Sequence, residues 1–527
     1  MARHHRVGSW HRGGAGDKGD SRPRQAPPAG VAGATGVKAA DAAGLAGLRE
    51  GWRLAKSPVR LSDLCALVTL RRDRTRGAFT RELARETTVL VARDSTSMSK
   101  KGTRLDYFVD LFAGCGGLSL GLHAAGWNGL FAVEKHPDAF ETLKHNLIDR
   151  QPHYHWPEWL LSPRNLDIRD LRSRYSNELG RLRGRVKLVA GGPPCQGFSM
   201  AGRRTGDDAR NELIDEYVAF IDQVRPKYLL LENVEGITFE FDSVKKPRNS
   251  GCRHANSHAE RLRISLWERG YATYSRVLQA SDFAVPQRRP RFIMIGIRRD
   301  RLRQSRLGLE EFNPFDFLDD VRRDFFSAKG LAPDARFGPR DAISDLGSNA
   351  FKTISCEDSP GFQRVVYMGP RTTFQKLLHG AMNGVAPDSM RLANHRPATQ
   401  SRFRAIIQYA EKNKRQGRSL GSSERAKLGI MKNALVVLHP GKPTHTVTTL
   451  PDDILHYEEP RILSVRENAR LQTFPDWFEF KGPYTTGGDR RKNACPRYTQ
   501  VGNAVPPFLA EVLGMLIKRV DKEIQGK

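Results

Sequence analysis

One cysteine in this sequence stands where a nucleophile could act. Cys195 follows Gly191-Gly192-Pro193-Pro194, which in turn follows the apolar run 186–190. The apolar run predicts a buried strand, and the glycines and prolines predict a sharp turn that presents the thiol at its tip. A thiol there suits covalent catalysis. The alternative is an incidental loop cysteine, because free cysteine is among the most frequently buried residue types.

Carboxylates and a glycine turn follow other predicted strands. The run 105–112 ends at a glycine turn that contains Gly114, and further apolar runs lead to Glu134, Asp167 and Glu232. A strand, a glycine turn and a helix open a doubly wound nucleotide-binding sheet, and ligands bind beyond the carboxyl ends of such strands. We therefore expect these residues to converge with the cysteine turn, although glycine turns and helix-flanking carboxylates are individually common.

A basic turn joins two more predicted strands. The segment Pro286-Gln-Arg-Arg-Pro-Arg291 lies between strands predicted over 271–279 and 291–297. Arginines beside the carboxyl edge of a sheet could hold a charged substrate. An exposed turn with three arginines is an equally ordinary interpretation of these residues alone.

Composition narrows the class of protein. The 527 residues carry a formal net charge of +28, which favours a polyanionic partner. The six cysteines are scattered, so a disulfide framework is not expected. Cys252, His254 and His258 are too irregularly spaced for a structural zinc site, and we predict no metal. The amino terminus has no apolar signal core, and we expect no window to be apolar enough to span a membrane.

The chain divides by composition into four segments. Residues 1–103 are basic and rich in Gly, Ala, Arg and Pro, so we expect largely disordered chain there, unless translation begins at Met98. Strand and helix patterns alternate over 104–300, fade over 301–460 and resume over 461–527. We interpret the second and fourth segments as one catalytic domain and 301–460 as a separate lobe.

In this order the motifs resemble those of the DNA (cytosine-5) methyltransferases, most closely the bacterial type. The matching blocks are Asp110-Leu-Phe-Ala-Gly-Cys-Gly-Gly117, Gly192-Pro-Pro-Cys-Gln196, Glu232-Asn-Val234, Gln287-Arg-Arg-Pro-Arg291, Arg466-Glu-Asn-Ala-Arg-Leu-Gln-Thr-Phe-Pro475 and Gln500-Val-Gly-Asn503. The resemblance implies an α/β fold with a Rossmann-like sheet that binds S-adenosylmethionine, and a second, smaller target recognition domain at 301–460.

The resemblance also implies where the cofactor binds. S-adenosylmethionine would lie over the turn from Phe112 to Gly116, which includes Gly114. Glu134 would hold the ribose, Asp167 would approach the adenine amino group, and Asn503 with the final helix would pack on the cofactor side.

For the reaction, Cys195 would add to carbon 6 of cytosine, because carbon 5 alone is a poor nucleophile. Glu232 would donate a proton or hydrogen bond toward N3 if burial keeps it protonated. Arg289 and Arg291 would lie near the cytosine O2 and the active-site carboxylate, where their charge could favour the thiolate.

A stacked cytosine cannot reach such a site, so the base must be flipped out of the duplex. The polar loop from Ser199 to Arg210 would close over it. By resemblance Ser199 and Arg210 would contact the flanking phosphates, and Gln196 would lie beside the cysteine.

The expected partner is therefore double-stranded DNA. The sequence leaves open whether a cognate restriction endonuclease accompanies the enzyme, and we expect a monomer in a bacterial cytoplasm, associated with the nucleoid. One rival is an RNA cytosine-5 methyltransferase, although Cys356 is followed by Glu357-Asp358 and not by the Phe-Thr typical of the tRNA branch. The other is a catalytically silent DNA-binding homologue.

Overall fold

The computed structural model describes residues 106–194, 212–239, 257–304, 312–348, 352–432, 435–485 and 494–526. Within residues 103–527, which form one compact unit, the framework is a six-stranded sheet. Its strands are β1 Tyr107–Leu111, β2 Asn128–Val133, β3 Leu188–Gly191, β4 Tyr228–Asn233, β5 Tyr271–Gln279 and β6 Pro290–Arg298. The expected basic extension over 1–103 lies outside the described residues.

The strand order is β2-β1-β3-β4-β6-β5. Strands β2, β1, β3 and β4 are parallel, whereas β6 runs antiparallel to both β4 and β5. The α/β, Rossmann-like fold class is confirmed, with a mixed sheet. Its carboxyl edge carries the ends of β1 to β4 and the beginning of β6.

Fifteen α-helices are described around this sheet and beyond it. They are α1 Gly117–Ala124, α2 Pro137–Lys144, α3 Ile168–Arg174, α4 Ser176–Arg181, α5 Glu212–Val224, α6 His258–Glu268, α7 Arg299–Arg303, α8 Leu318–Ala328, α9 Pro339–Ile343, α10 Thr373–His379, α11 Pro397–Lys412, α12 Ser422–Lys427, α13 Val465–Leu471, α14 Arg497–Asn503 and α15 Pro507–Gln525. Short strands pair as β7 Thr353–Ser355 with β8 Gln363–Val365, and as β9 Val436–Val437 with β10 Ile454–Leu455.

Alternate residues of each strand feed two cores, one on each face of the sheet. Phe108 of β1 and Leu230 of β4 join the core that contains α1, α8 and α15, whereas Val109 and Leu231 join the core formed with α3, α5 and α6. This division follows from the two-residue repeat of a strand. Both faces are covered, which explains the nearly continuous apolar runs in the sequence.

The first and last helices of the sheet cross at very close range. A β-carbon added to Gly121 of α1 would lie 2.3 Å from Pro507 O and 2.4 Å from Ala510 Cβ. Only glycine allows the two backbones to approach this closely. The closing helix α15 is thereby fixed on the same side of the sheet as the β1–α1 turn.

Two sequence-based expectations about local structure were wrong. Residues 165–168 form no strand: Leu166 N donates a single hydrogen bond to Glu134 O, and Asp167 instead caps α3 by accepting from Arg169 N at 2.9 Å. The stretch Arg497–Gln525 is long and apolar enough to span a membrane, but 89% of its apolar window is buried in the molecule. Such burial is typical of a core helix.

The region 301–460 has a small core of its own, which includes Ile406, Leu420, Val437 and Leu455. Its first helix, α8, packs instead against the final helix through Phe325 and Phe508, whose ring centroids are 5.5 Å apart. The division into a catalytic domain and a separate lobe stays a prediction.

Candidate active site and cofactor cleft

The turn that leads to the predicted nucleophile lies against the end of β4. Asn233 Nδ2 donates a hydrogen bond to Pro193 O at 3.1 Å, and a β-carbon on Gly192 would lie 3.2 Å from Glu232 Oε2. Glycine is needed at 192 because the turn runs directly past this carboxylate. Cys195, Gln196, Ser199 and Arg210 lie outside the described residues.

Glu232 and Arg291 form a buried ion pair at the same edge. Arg291 Nε lies 2.8 Å from Glu232 Oε1, and each residue is 8% exposed. The antiparallel register that pairs Glu232 with Ile293 places the beginning of β6 beside the end of β4. A buried carboxylate therefore has a fixed orientation next to the turn that enters Cys195.

Arg289 has described hydrogen bonds that lead to other parts of the chain. Its guanidinium, 1% exposed, donates to Val447 O at 3.1 Å, Gly502 O at 2.8 Å and Ala504 O at 3.0 Å. Val447 lies between β9 and β10, Gly502 lies in the last turn of α14, and Ala504 follows that helix. The described contacts of Arg289 therefore join β6 to the carboxyl-terminal part of the chain.

Two buried glutamines extend this connection, and sequence reasoning missed both. Gln287 Nε2 donates to Gln472 Oε1 at 3.0 Å, and Gln287 Oε1 accepts from Val447 N at 2.7 Å. Gln472 Nε2 donates to Val501 O at 2.9 Å. The only signal in the sequence was the presence of glutamines within the matching blocks, because their acceptors are distant in the chain.

The β1–α1 turn opens above the first strand. Phe112, Gly114 and Gly116 have φ values of 59°, 56° and 97°, a left-handed region that favours glycine. Gly114 N donates to Glu134 Oε2 at 2.9 Å, and His136 N donates to Glu134 Oε1 at 2.7 Å. Burial raises the pKa of Glu134, and these backbone hydrogen bonds oppose the rise.

The residues at this turn offer open space and polar groups suited to an adenosyl ligand. A β-carbon on Gly114 would meet no atom within 4 Å. Asp167 is placed beside Glu134 by the Leu166–Glu134 backbone bond and lies 3.0 Å from Lys135 Nζ. Each Glu134 oxygen accepts one described bond and so retains a lone pair for a hydroxyl. These residues fit S-adenosylmethionine, which needs no phosphate cradle.

Asn503, the cofactor-binding residue predicted in the carboxyl-terminal part of the chain, is less closely connected to the glycine turn than Glu134 is. Asn503 is exposed at the end of α14. Its helix reaches the glycine turn through Gln500, whose carbonyl accepts from Cys115 Sγ at 3.6 Å and whose side chain accepts from Thr142 Oγ1 at 2.7 Å. A contact between Asn503 and the cofactor stays a prediction, and Gln500 is a residue that sequence reasoning named only as part of a motif.

A buried acid lies beneath the turn. Asp110, at 0% exposure, accepts a hydrogen bond from Ser119 Oγ, which also contacts Tyr154 Oη. Burial raises the pKa of Asp110 to about 7. This group supports the turn from below and does not reach the cleft above it. In the described part of the chain no three metal-ligating side chains cluster; Cys252 and His254 lie outside it.

A glycine turn beside a buried carboxylate at the carboxyl edge of such a sheet is typical of α/β proteins that bind a nucleoside-type cofactor. The particular family follows from comparison. The chain belongs to the C-5 cytosine-specific DNA methylases, whose family model matches residues 107–519. It is a DNA cytosine-5 methyltransferase.

Curated relatives agree with this assignment, and one solved structure shares the fold. Type II methyltransferase M.AgeI of Thalassovita gelatinovora is 28% identical over 465 residues, covering 78% of this chain and 98% of the relative. Type II methyltransferase M1.HphI of Haemophilus parahaemolyticus is 30% identical over 419 residues, covering 79% and 87%. An E. coli structure described as a prophage-encoded DNA modification methyltransferase superposes with a TM-score of 0.50 at 22% identity, covering 78% of this chain and 98% of that one. The last likeness concerns the fold alone.

Proposed function

We propose that the enzyme transfers a methyl group from S-adenosylmethionine to carbon 5 of a cytosine flipped out of duplex DNA, through a covalent adduct with Cys195. One observation carries this proposal. The Glu232 carboxylate lies 3.2 Å from the position of a β-carbon on Gly192, three residues before the cysteine, and Arg291 holds its other oxygen. A nucleophile and an acid would thus face one small space.

In this mechanism Cys195 attacks carbon 6 of the flipped base, and after methyl transfer carbon 5 loses its proton to a base or water and Cys195 is eliminated. As Cys195 adds, electron density moves toward N3, where Glu232 donates a hydrogen bond or proton and stabilises the transition state. Arg291 fixes the carboxyl group by its 2.8 Å contact and limits its rotation. Asn233 holds the beginning of the turn through its hydrogen bond to Pro193 O.

Arg289 has a different role in this proposal. Its three backbone acceptors bind it between β6 and the segments around Val447 and Gly502. We assign it as a positioning residue that fixes the beginning of β6, and hence Arg291, relative to the cofactor side. Direct contact with the cytosine is assigned to Arg291.

The cofactor, when bound, supplies an activated methyl group on a positively charged sulfur. Phe112, Gly114 and Gly116 would form the floor of its site, Glu134 would accept from the ribose hydroxyls, and Asp167 would approach the adenine amino group. Asn503 would close the carboxyl-terminal side. The open space at Gly114 and the fixed carboxylate of Glu134 support these assignments.

The substrate is proposed to be bacterial double-stranded DNA. Ser199 and Arg210 would bind phosphates beside the flipped nucleotide, and Gln196 would lie next to Cys195. The net charge of +28 supports a polyanionic substrate. We further propose a monomer in the bacterial cytoplasm, at the nucleoid. The names of the relatives, type II methyltransferases, support a cognate restriction endonuclease as a partner.

Expression in a host without cytosine-5 methylation, followed by bisulfite sequencing of plasmid DNA, tests the proposal. We expect methylated cytosine within one sequence context, and none with Cys195→Ser. Absence of methylation in every context with the wild-type protein would refute the activity. Methylation that persists in Cys195→Ser would refute the covalent step while leaving the activity intact.

A further inference from the structure

The basic turn between β5 and β6 contains a third arginine that the proposed reaction does not use. Arg288 is exposed, three residues before Arg291, so its backbone lies within about 11 Å of that of the catalytic-edge arginine. Arg288 N donates to Thr444 O at 2.7 Å, and its Nη2 donates to Gly417 O at 3.0 Å. Two loops of the middle region therefore meet at the mouth of the site.

Cations collect around Gly417 without matching carboxylates. Arg288, Arg340, Arg418 and Lys442 are exposed, and none of them forms an ion pair within the described ranges. His439 and His445 lie among them. The carboxylates of neighbouring elements are already engaged: Glu424 pairs with Arg415 at 2.7 Å, and Asp452 and Asp453 pair with Lys432 at 2.5 and 2.9 Å.

His445 contacts Arg288. Its Nε2 lies 3.5 Å from Arg288 Nη2, and the Gly417 backbone hydrogen-bonds the ring. Burial and the charge of Arg288 lower the pKa of His445, which favours the neutral ring, whose Nε2 can accept from the guanidinium. An anion bound to both groups would offset the charge of Arg288 and favour the imidazolium, whose Nε2 would then donate to the anion.

His439 serves as the comparison for His445. Its Nδ1 accepts a hydrogen bond from Gly441 N at 3.1 Å. Burial and the charges of Lys442 and Arg340 lower the pKa of His439. Either ring would lose an accepted hydrogen bond on protonation, but among the described contacts it is His445 that shares one with Arg288, with which it would bind the same anion.

We propose that Arg288 and His445 together bind one phosphate of the DNA backbone beside the catalytic edge, and that His445 takes up a proton from solvent as it does so. This inference rests on the proposed action on DNA. A phosphate suits this position because the planar guanidinium of Arg288 and the imidazolium of His445 can both donate hydrogen bonds to it. The neighbouring carboxylates named above are already paired with other cations. Binding therefore raises the pKa of His445 from its lowered value, and DNA affinity increases as the pH falls through this interval.

The test is the Kd of a labelled DNA duplex, measured by fluorescence anisotropy between pH 5.5 and 8 at constant ionic strength. Wild-type affinity should rise by up to about tenfold per pH unit below about pH 6.5, which corresponds to uptake of about one proton. His445→Gln should reduce the pH slope by about one proton. The matched control, His439→Gln, should keep the wild-type slope.

Arg288→Gln gives a second, independent readout. It should weaken binding at every pH, lower the slope of log Kd against log salt by about one phosphate contact, and reduce proton uptake.

An unchanged pH slope in His445→Gln, or a loss of slope in His439→Gln alone, would overturn the inference. If the wild-type protein methylates DNA but its affinity has no pH slope, this inference fails and the proposed function stands. If it binds no DNA at any pH, both fail.

Discussion

Replacement of Arg289 by methionine separates a positioning role from a chemical one. Methionine keeps a similar length and apolar stem but removes the charge and every donor. The substitution leaves three backbone carbonyls, of Val447, Gly502 and Ala504, without the guanidinium that now binds them at 2.8–3.1 Å. A buried polar group left without its partner costs about 1–3 kcal/mol. With three carbonyls affected, we expect the free energy of unfolding to fall by at least about 3 kcal/mol.

The assay is urea denaturation monitored by tryptophan fluorescence, and methyl transfer is measured on the same preparations. Arg288→Met is the matched control for stability, because this exposed neighbour has only one described carbonyl acceptor for its side chain, Gly417 O. We expect it to change the free energy of unfolding by less than about 1 kcal/mol. If Arg289→Met kept wild-type stability but abolished methyl transfer, the positioning argument would be wrong and a direct catalytic role would be supported.

Other substitutions test the packing, the turn and the buried acid. Gly121→Ala should lower the free energy of unfolding by about 1–3 kcal/mol, because its β-carbon would clash with the backbone of Pro507. The control is Gly180→Ala in helix α4, where an added β-carbon meets no atom within 4 Å. It should raise the free energy of unfolding by about 0.5–1 kcal/mol. Equal urea midpoints for the two would contradict this. Gly192→Ala should lower kcat by about tenfold because the added methyl group displaces the Glu232 carboxylate, and it should leave the free energy of unfolding unchanged. Turnover is measured with radiolabelled cofactor, and a wild-type kcat would show that the carboxylate can be displaced without loss of activity. The contribution of Asp110 to stability should decline as the pH rises from about 4 through 7, since its folded pKa is raised to about 7. Asp110→Asn should flatten this dependence between pH 5 and 8, and an equally steep curve would refute it.

The sheet strands and the turns at their ends could be predicted from local pattern. Apolar runs over 186–190 and 227–231 became β3 and β4, and the carboxylates that follow the strands lie at one edge. Periodicity and Gly-Pro turns are local properties, so the sequence displays them directly. The same reasoning failed at Asp167, because a polar side chain that caps the next helix resembles one that ends a strand.

The roles of the basic turn could not be predicted in the same way. Arg289 and Arg291 are two residues apart and chemically identical, but one binds the Glu232 carboxylate and the other binds backbone carbonyls 158 to 215 residues away. Backbone carbonyls carry no residue identity, so no pattern of side chains signals them. The same limit applies to the buried glutamines at 287 and 472, whose partners the fold alone brings together.

The close crossing of α1 and α15 has a consequence for how the enzyme is made. The glycine turn begins near residue 112, but Gln500 and the final helix that support it are synthesised some 385 residues later. A ribosome-bound chain thus emerges with its first strands and helix but without the helix against which Gly121 packs. Contacts of such wide separation also slow folding, because a long loop must close before they form. Premature termination upstream of α14 should therefore release chains that lack a complete cofactor cleft, so the cell would acquire methylation capacity only from full-length translation products.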